Sequence, residues 1–142
     1  MKSKKTTQVK EPIRLLLVDD EEGYVNVLAN RMALRGIDVS KSYSGSEAIR
    51  ILRRNDFDVA VLDLKMEDMD GIEVLKIFKK MDPELMVIML TGHGSAQAAS
   101  DGISLGAFDY LTKPCDFKEL LDKVRKAYLE RKRLKKDDTQ NP

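Results

Sequence analysis

A chain of 142 residues with 42% hydrophobic residues can bury one ordinary core, and 25 basic against 24 acidic residues leave a formal charge of +1. That balance gives no overall pull toward nucleic acid or anionic membrane, and one cysteine with one histidine excludes an intramolecular disulfide and a zinc site of soft ligands. The basic start MKSKKTTQVKEP lacks the apolar segment of a secretory signal, and no run reaches the roughly 18 apolar residues of a membrane span, so the reading is a cytoplasmic protein.

Residues 1 to 12 are polar and close on Pro12, which predicts a disordered lead-in to a single domain over residues 13 to 130. IRLLLV, from Ile13, has the length and near-continuous apolar content of a buried strand, and it ends in Asp19 and Asp20. Val25, Leu28, Met32 and Leu34 give a helix that stops at Gly36. GIDVSKSY alternates and is more polar, as suits an edge strand, and Ser44 with Glu47 forms a capping box for a helix on Ala48, Ile49 and Leu52. DVAVLD is a central strand with Asp63 at its tip. In the acidic loop behind it, Asp68 and Asp70 with Gly71 shape the turn into a helix on Ile72, Val74, Leu75 and Phe78. LMVIML leads to Thr91, SAQAASDGISLG is a fourth helix ending at Gly106, and FDYLT is a last buried strand before Lys113. Phe117, Leu120, Leu121, Val124, Ala127 and Tyr128 mark the fifth helix. Beyond Tyr128 only Leu134 is large and apolar, so residues 131 to 142 read as a basic, then polar tail. It is either a solvated, fraying helix end or a basic docking segment or linker stub.

Five strands alternating with five helices predict an α/β, doubly wound fold with a five-stranded parallel sheet and helices on both faces. In such a sheet the loops at the carboxyl ends of the strands form the ligand crevice. Asp19, Asp20, Asp63, Thr91 and Lys113 all fall there. Three carboxylates held close repel one another, and protonation or a hard divalent cation such as Mg²⁺ relieves them. A carboxylate beside such a cation, faced by a lysine and a threonine, is equipped to accept a phosphoryl group. The cation and Lys113 would neutralise its oxygens, while Thr91 and Gly92 offer a hydroxyl and an accessible backbone N–H. Asp63, alone at its strand tip, is the natural nucleophile. Singly, each residue has a plainer role as a turn former, a strand residue or a loop residue, so the signal lies in their joint occurrence.

Together, LLLVDDEE, VLDLKMEDMDG, MLTGHG and GAFDYLTKP resemble the receiver domain of bacterial two-component response regulators, in a single-domain form like the chemotaxis regulator. The resemblance implies a flavodoxin-like (βα)5 fold and a signalling phosphoacceptor, not an enzyme with turnover beyond its own phosphoryl transfer and dephosphorylation. It implies transfer from a sensor histidine kinase or phosphotransfer protein to Asp63, with Mg²⁺ held by Asp20, Asp63 and the Lys65 backbone carbonyl and with Asp19 acting largely through water. Lys113 would pair with the phosphoryl group, Thr91 would move toward it, Tyr110 would turn inward, and Lys113-Pro114 would be a cis peptide. The change at the fourth helix and fifth strand would then switch binding of a downstream protein partner.

Two departures stand out. Glu67 occupies the place of the proline in the usual D-x-x-M-P-x-M-D-G pattern, so the loop loses a fixed φ and gains a charge, which bears on its rigidity and on phosphoryl lifetime. Cys115 stands where the family more often has an aromatic residue and reads as a small packing residue. His93 reads as a variable loop residue, the alternative being a role in tuning attack by water. Gly102 and its small neighbours predict a loosely anchored fourth helix, the element expected to change most on activation. They also predict a monomer, or at most a weak phosphorylation-dependent dimer. With no zinc finger, basic zipper or second core, no direct nucleic-acid binding is expected. The rivals are a receiver-like module that is never phosphorylated, an aspartate-nucleophile phosphatase and a flavin carrier. The phosphatase needs a second Asp where Lys65 stands, and DDEEGY would repel a flavin phosphate.

Overall fold

Side chains alternate between two faces along every strand, and here both faces are apolar, so the sheet must be covered on each side. The computed structural model describes residues 11–92 and 96–140. Arg14–Val18 (β1), Asp38–Ser42 (β2), Val59–Asp63 (β3), Met86–Thr91 (β4) and Asp109–Thr112 (β5) form one parallel sheet in the order β2-β1-β3-β4-β5. The helices are Glu22–Ala33 (α1), Gly45–Arg54 (α2), Gly71–Met81 (α3), Ala96–Ser104 (α4) and Phe117–Gln140 (α5). This is the doubly wound arrangement that the alternation of elements predicts, in the flavodoxin-like form that the resemblance implies.

Leu15, Leu17, Val59, Val61, Ile88 and Leu90 face α1 and α5, whereas Leu16, Val18, Ala60, Leu62, Val87 and Met89 join the core under α2 and α3. Strand order turns at β1, so a crevice opens outside the carboxyl ends of β1 and β3. Helix ends follow the local chemistry. Ser44 accepts the Glu47 N–H at 3.1 Å, while Glu47 reaches back to the Tyr43 N–H at 3.0 Å, one residue earlier than the usual reciprocal bond. Gly36 and Gly106 end their helices at φ of 82° and 107°, a region that side chains with a Cβ rarely adopt.

Several expectations are corrected. Leu34 is 83% exposed, because it lies just past the end of α1, and Ala29 supplies the fourth buried position instead. β5 is the second edge strand, and only Leu111 within it is buried. Asp68 does more than shape its own turn. Its two oxygens accept the Gly45 and Ser46 N–H groups, both at 3.0 Å, and so cap α2 from across the loop. Asp70 does cap α3, through the Ile72 N–H at 3.0 Å.

The largest correction concerns the chain after Tyr128, where α5 continues and Arg131 is only 3% exposed. Its Nε lies 3.3 Å from Asp58 Oδ1 and its Nη1 3.2 Å from Asp82 Oδ2, and Lys135 comes within 3.6 Å of Glu84. Neither Arg131 nitrogen has an aligned hydrogen bond, so the attraction is one of charge. Leu134 packs against the α1/α5 core. The basic segment thus holds α5 to the loops at the amino-terminal ends of β3 and β4.

Gly102 also reads differently in three dimensions. A Cβ there would run into the side chain of buried Met89, so the glycine admits β4's methionine as well as weakening the helix. Ala99 and Gly102 are the only buried residues of α4 among those described.

Candidate functional site

Asp63 ends β3, the strand between β1 and β4, so burial on both faces of the sheet carries its carboxylate to the floor of the crevice at 5% exposure. Asp19 follows β1 and is fully buried, while Asp20 turns up toward solvent beside it. One oxygen from each of these three aspartates lies within 4.8 Å of the other two. Above them is a cleft of about 520 Å³ lined by Asp20, Asp63, Lys65, Glu67, Gly92 and Lys113, together with Glu21 and Met66.

Lys113 enters from the end of β5, where its peptide bond to Pro114 is cis. Its Nζ donates to Asp19 at 2.8 Å and to Glu21 at 2.9 Å, and lies 3.6 Å from Asp63 Oδ2. Burial opposes the ammonium charge, but the bonds to Asp19 and Glu21 outweigh it and hold Lys113 firmly protonated. Asp63 also holds its proton more tightly than usual, pushed up to about 6 from 3.8. Burial is the main cause and the neighbouring Asp19 adds to it, opposed by the Lys65 N–H at 3.2 Å and by Lys113.

The acidic loop is fixed at three places. The Glu67 N–H donates to Asp20 Oδ2 at 3.1 Å, an antiparallel backbone bridge joins Lys65 to Asp70, and Asp68 reaches α2. The first of these bonds needs a backbone donor that proline lacks, so Glu67 trades a fixed φ for a direct tie to the site. Gly71 closes the loop, since a Cβ there would meet the Leu64 backbone.

Three carboxylates against one lysine leave an excess of negative charge, presented entirely through hard oxygen donors. That donor set fits a hard divalent cation, and Asp19, Asp20 and Asp63 are the residues that would hold it.

Not every predicted residue faces the cleft. The Thr91 hydroxyl is buried and turns to the Leu111 carbonyl on β5 at 3.5 Å, and Tyr110 is 43% exposed on the outer side of that strand. His93 lies outside the described residues. Glu21 is the polar contact that motif reading missed. Its signal was positional, since it directly follows the acidic pair and stands where α1 would ordinarily begin with a capping Ser, Thr or Asp.

The family model for the response regulator receiver domain matches residues 15–125, which takes in every one of these side chains. The chain belongs to the response regulator receiver domain family. Among curated relatives, the transcriptional regulatory protein GlrR of Escherichia coli (strain K12) is 40% identical over 106 residues, 75% of this chain and 24% of that protein. ZraR of Salmonella typhimurium, also a transcriptional regulatory protein, is 34% identical over 119 residues, 84% of this chain and 27% of its own length. The chain therefore spans about a quarter of these relatives. A response regulator receiver domain protein from Clostridium thermocellum superposes with a TM-score of 0.83 at 32% identity, over 86% of this chain and 98% of that one. As a receiver domain, the chain is a signalling module of two-component relays; receiver domains generally bind Mg²⁺ at an acidic pocket, and a cluster of three aspartates is present here at the ends of β1 and β3. Among the described residues, no helix is long and apolar enough to cross a membrane.

Proposed function

We propose that this receiver domain works through Asp63 as its phosphoacceptor. The observation that carries this reading is the environment of one carboxylate: Asp63 is buried at the strand tip, short of charge compensation, and faces Lys113 across an open cleft. A group with its proton affinity raised to about 6 is still ionised near neutral pH and is a better nucleophile than an ordinary aspartate. Oδ1 is tied by the Lys65 N–H, which leaves Oδ2, facing Lys113, to attack phosphorus.

In the transfer, Oδ2 forms a bond to the phosphorus of a phosphohistidine on a kinase or phosphotransfer protein. The P–N bond breaks and its electron pair returns to the imidazole. The three phosphoryl oxygens need compensation, which Lys113 and the Gly92 N–H, both from residues lining the cleft, would give. Mg²⁺, held by Asp19, Asp20, Asp63 and the Lys65 carbonyl, would supply further neutralisation of those oxygens when bound.

The signal would leave through β4 and β5. Thr91 and Lys113 are fixed to successive strands, and α4 between them is anchored only by Ala99 and Gly102. Turning the Thr91 hydroxyl from the Leu111 carbonyl toward a phosphoryl oxygen would open room beside β5 for Tyr110 to move inward. The readout is a protein surface in which Ile103, Leu105 and Tyr110, all now partly exposed, change their presentation. A cytoplasmic location fits exchange with a kinase.

The test is incubation with acetyl phosphate and Mg²⁺ followed by intact mass. The expected result is one added phosphoryl group that is absent in Asp63→Asn; no gain, or a gain that survives the substitution, would rule the assignment out.

A further inference from the structure

Lys113 is fully engaged before any phosphoryl group arrives. Two carboxylates hold its ammonium at 2.8 and 2.9 Å, the Tyr24 ring lies 4.8 Å away, and Asp63 is its most distant acidic neighbour at 3.6 Å. To compensate a phosphoryl group on Asp63, the ammonium has to turn from one of the two close partners. Those partners are not equivalent. Asp19 is fully buried and bound by a second donor, the Glu21 N–H at 3.0 Å, so it has nowhere to go. The Glu21 side chain is 65% exposed and can swing into water without leaving a buried charge behind.

Glu21 also stands at the N-cap position of α1, yet its side chain caps no N–H there. It reaches across the crevice mouth to Lys113 instead. We propose that Glu21 is a positioning residue that holds Lys113 in the resting state and releases it to the phosphoryl group, so that the Glu21–Lys113 bond opposes phosphorylation. This rests on the reading of Asp63 as phosphoacceptor. An ion pair made only in the resting state favours that state, and removing it shifts the balance toward the phosphorylated form. For a partly exposed pair, the shift is about two- to fivefold.

The test uses three variants of the whole chain and two readouts. Glu21→Gln removes the charge, Glu21→Asp keeps the charge but shortens the reach, and Glu22→Gln removes the neighbouring charge on α1. In the metal-free protein, competitive labelling of lysines with an amine-directed reagent, read by mass spectrometry, reports how firmly Lys113 is held relative to exposed Lys76. The second readout is the affinity for beryllofluoride, a phosphoryl mimic, in Mg²⁺.

Both Glu21 variants are expected to raise Lys113 labelling and to tighten beryllofluoride binding about two- to fivefold, with Glu22→Gln unchanged. If Glu21→Asp behaves like the parent while Glu21→Gln tightens binding, the effect is one of distant charge and the clamp is wrong. Unchanged labelling in both Glu21 variants would overturn it as well. If labelling follows the expected order but no protein binds the mimic or gains a phosphoryl group, the Asp63 assignment fails, and the proposed release of Lys113 fails with it.

Discussion

Replacing Asp63 by asparagine should make the metal-free domain more stable. The carboxylate is 5% exposed beside Asp19, and its proton affinity is raised from 3.8 to about 6, chiefly by burial. Between those values the folded protein binds more protons at this site than the unfolded chain, so stability falls as pH rises through the window. Above about 6 the whole penalty is present; below the unfolded value of 3.8 it is absent. At about 1.4 kcal/mol for each tenfold change in proton affinity, the ceiling is about 3 kcal/mol. Asparagine keeps the shape and cannot ionise. Relaxation around the charged form lowers the expected gain to about 1–3 kcal/mol near neutral pH, shrinking toward zero as pH falls through the window. Urea unfolding followed by circular dichroism in EDTA, at several pH values, measures it. Added Mg²⁺ should narrow the gap, because it favours the parent's folded state. A variant no more stable than the parent near neutral pH, or a gain independent of pH, would refute the assignment of strain to this carboxylate.

Arg131→Met keeps the buried stem but removes the charge facing Asp58 and Asp82. Because Asp58 retains Arg14, the loss in urea unfolding should lie at the low end for a broken buried pair, about 3 kcal/mol, and a change below about 0.5 kcal/mol would contradict the clamp. Asp68→Ala should cost about 1 kcal/mol and speed amide exchange at Gly45 and Ser46, whereas unaffected exchange would mean that the cross-loop cap is not formed in solution. Gly102→Ala improves helix propensity by about 1 kcal/mol but forces buried Met89 to move, an overpacking of about 1–3 kcal/mol, so a net loss in melting temperature is expected and a rise would show that Met89 yields freely.

The features legible in the sequence were those written in short periods. Continuous apolar runs marked β1, β3 and β4 as buried, alternation marked β2 as an edge, and the acids at strand tips revealed the crevice because the topology of a parallel sheet collects strand ends. β5 was misread because FDYLT carries strand residues without any sign of where the sheet stops; Tyr110 is as apolar in sequence at an edge as in a core. Contacts between elements far apart in the chain left no local trace. Asp68 looked like a turn residue because its partners stand 22 and 23 positions away. Arg131 looked like one more charge on a fraying end because its partners lie in the loops before β3 and β4. Glu21 was visible only as a third acid, since nothing local says that its side chain turns away from its own helix.

The strand β3 carries an aspartate at each end, Asp58 just before it and Asp63 as its last residue, about 16 Å apart at about 3.3 Å per residue. One is oversupplied with cations and the other is short of them, so a single strand joins a well-compensated pole to a frustrated one. The arginine cluster acts as ballast, letting the domain carry a carboxylate that it would fold better without. The two poles share no partner, so their effects should add: the Arg131→Met and Asp63→Asn double variant should recover the same gain of about 1–3 kcal/mol that Asp63→Asn gives alone, out of the roughly 3 kcal/mol that Arg131→Met loses near neutral pH. Stability withheld at one end of a strand is thus offset by the ion pairs at the other.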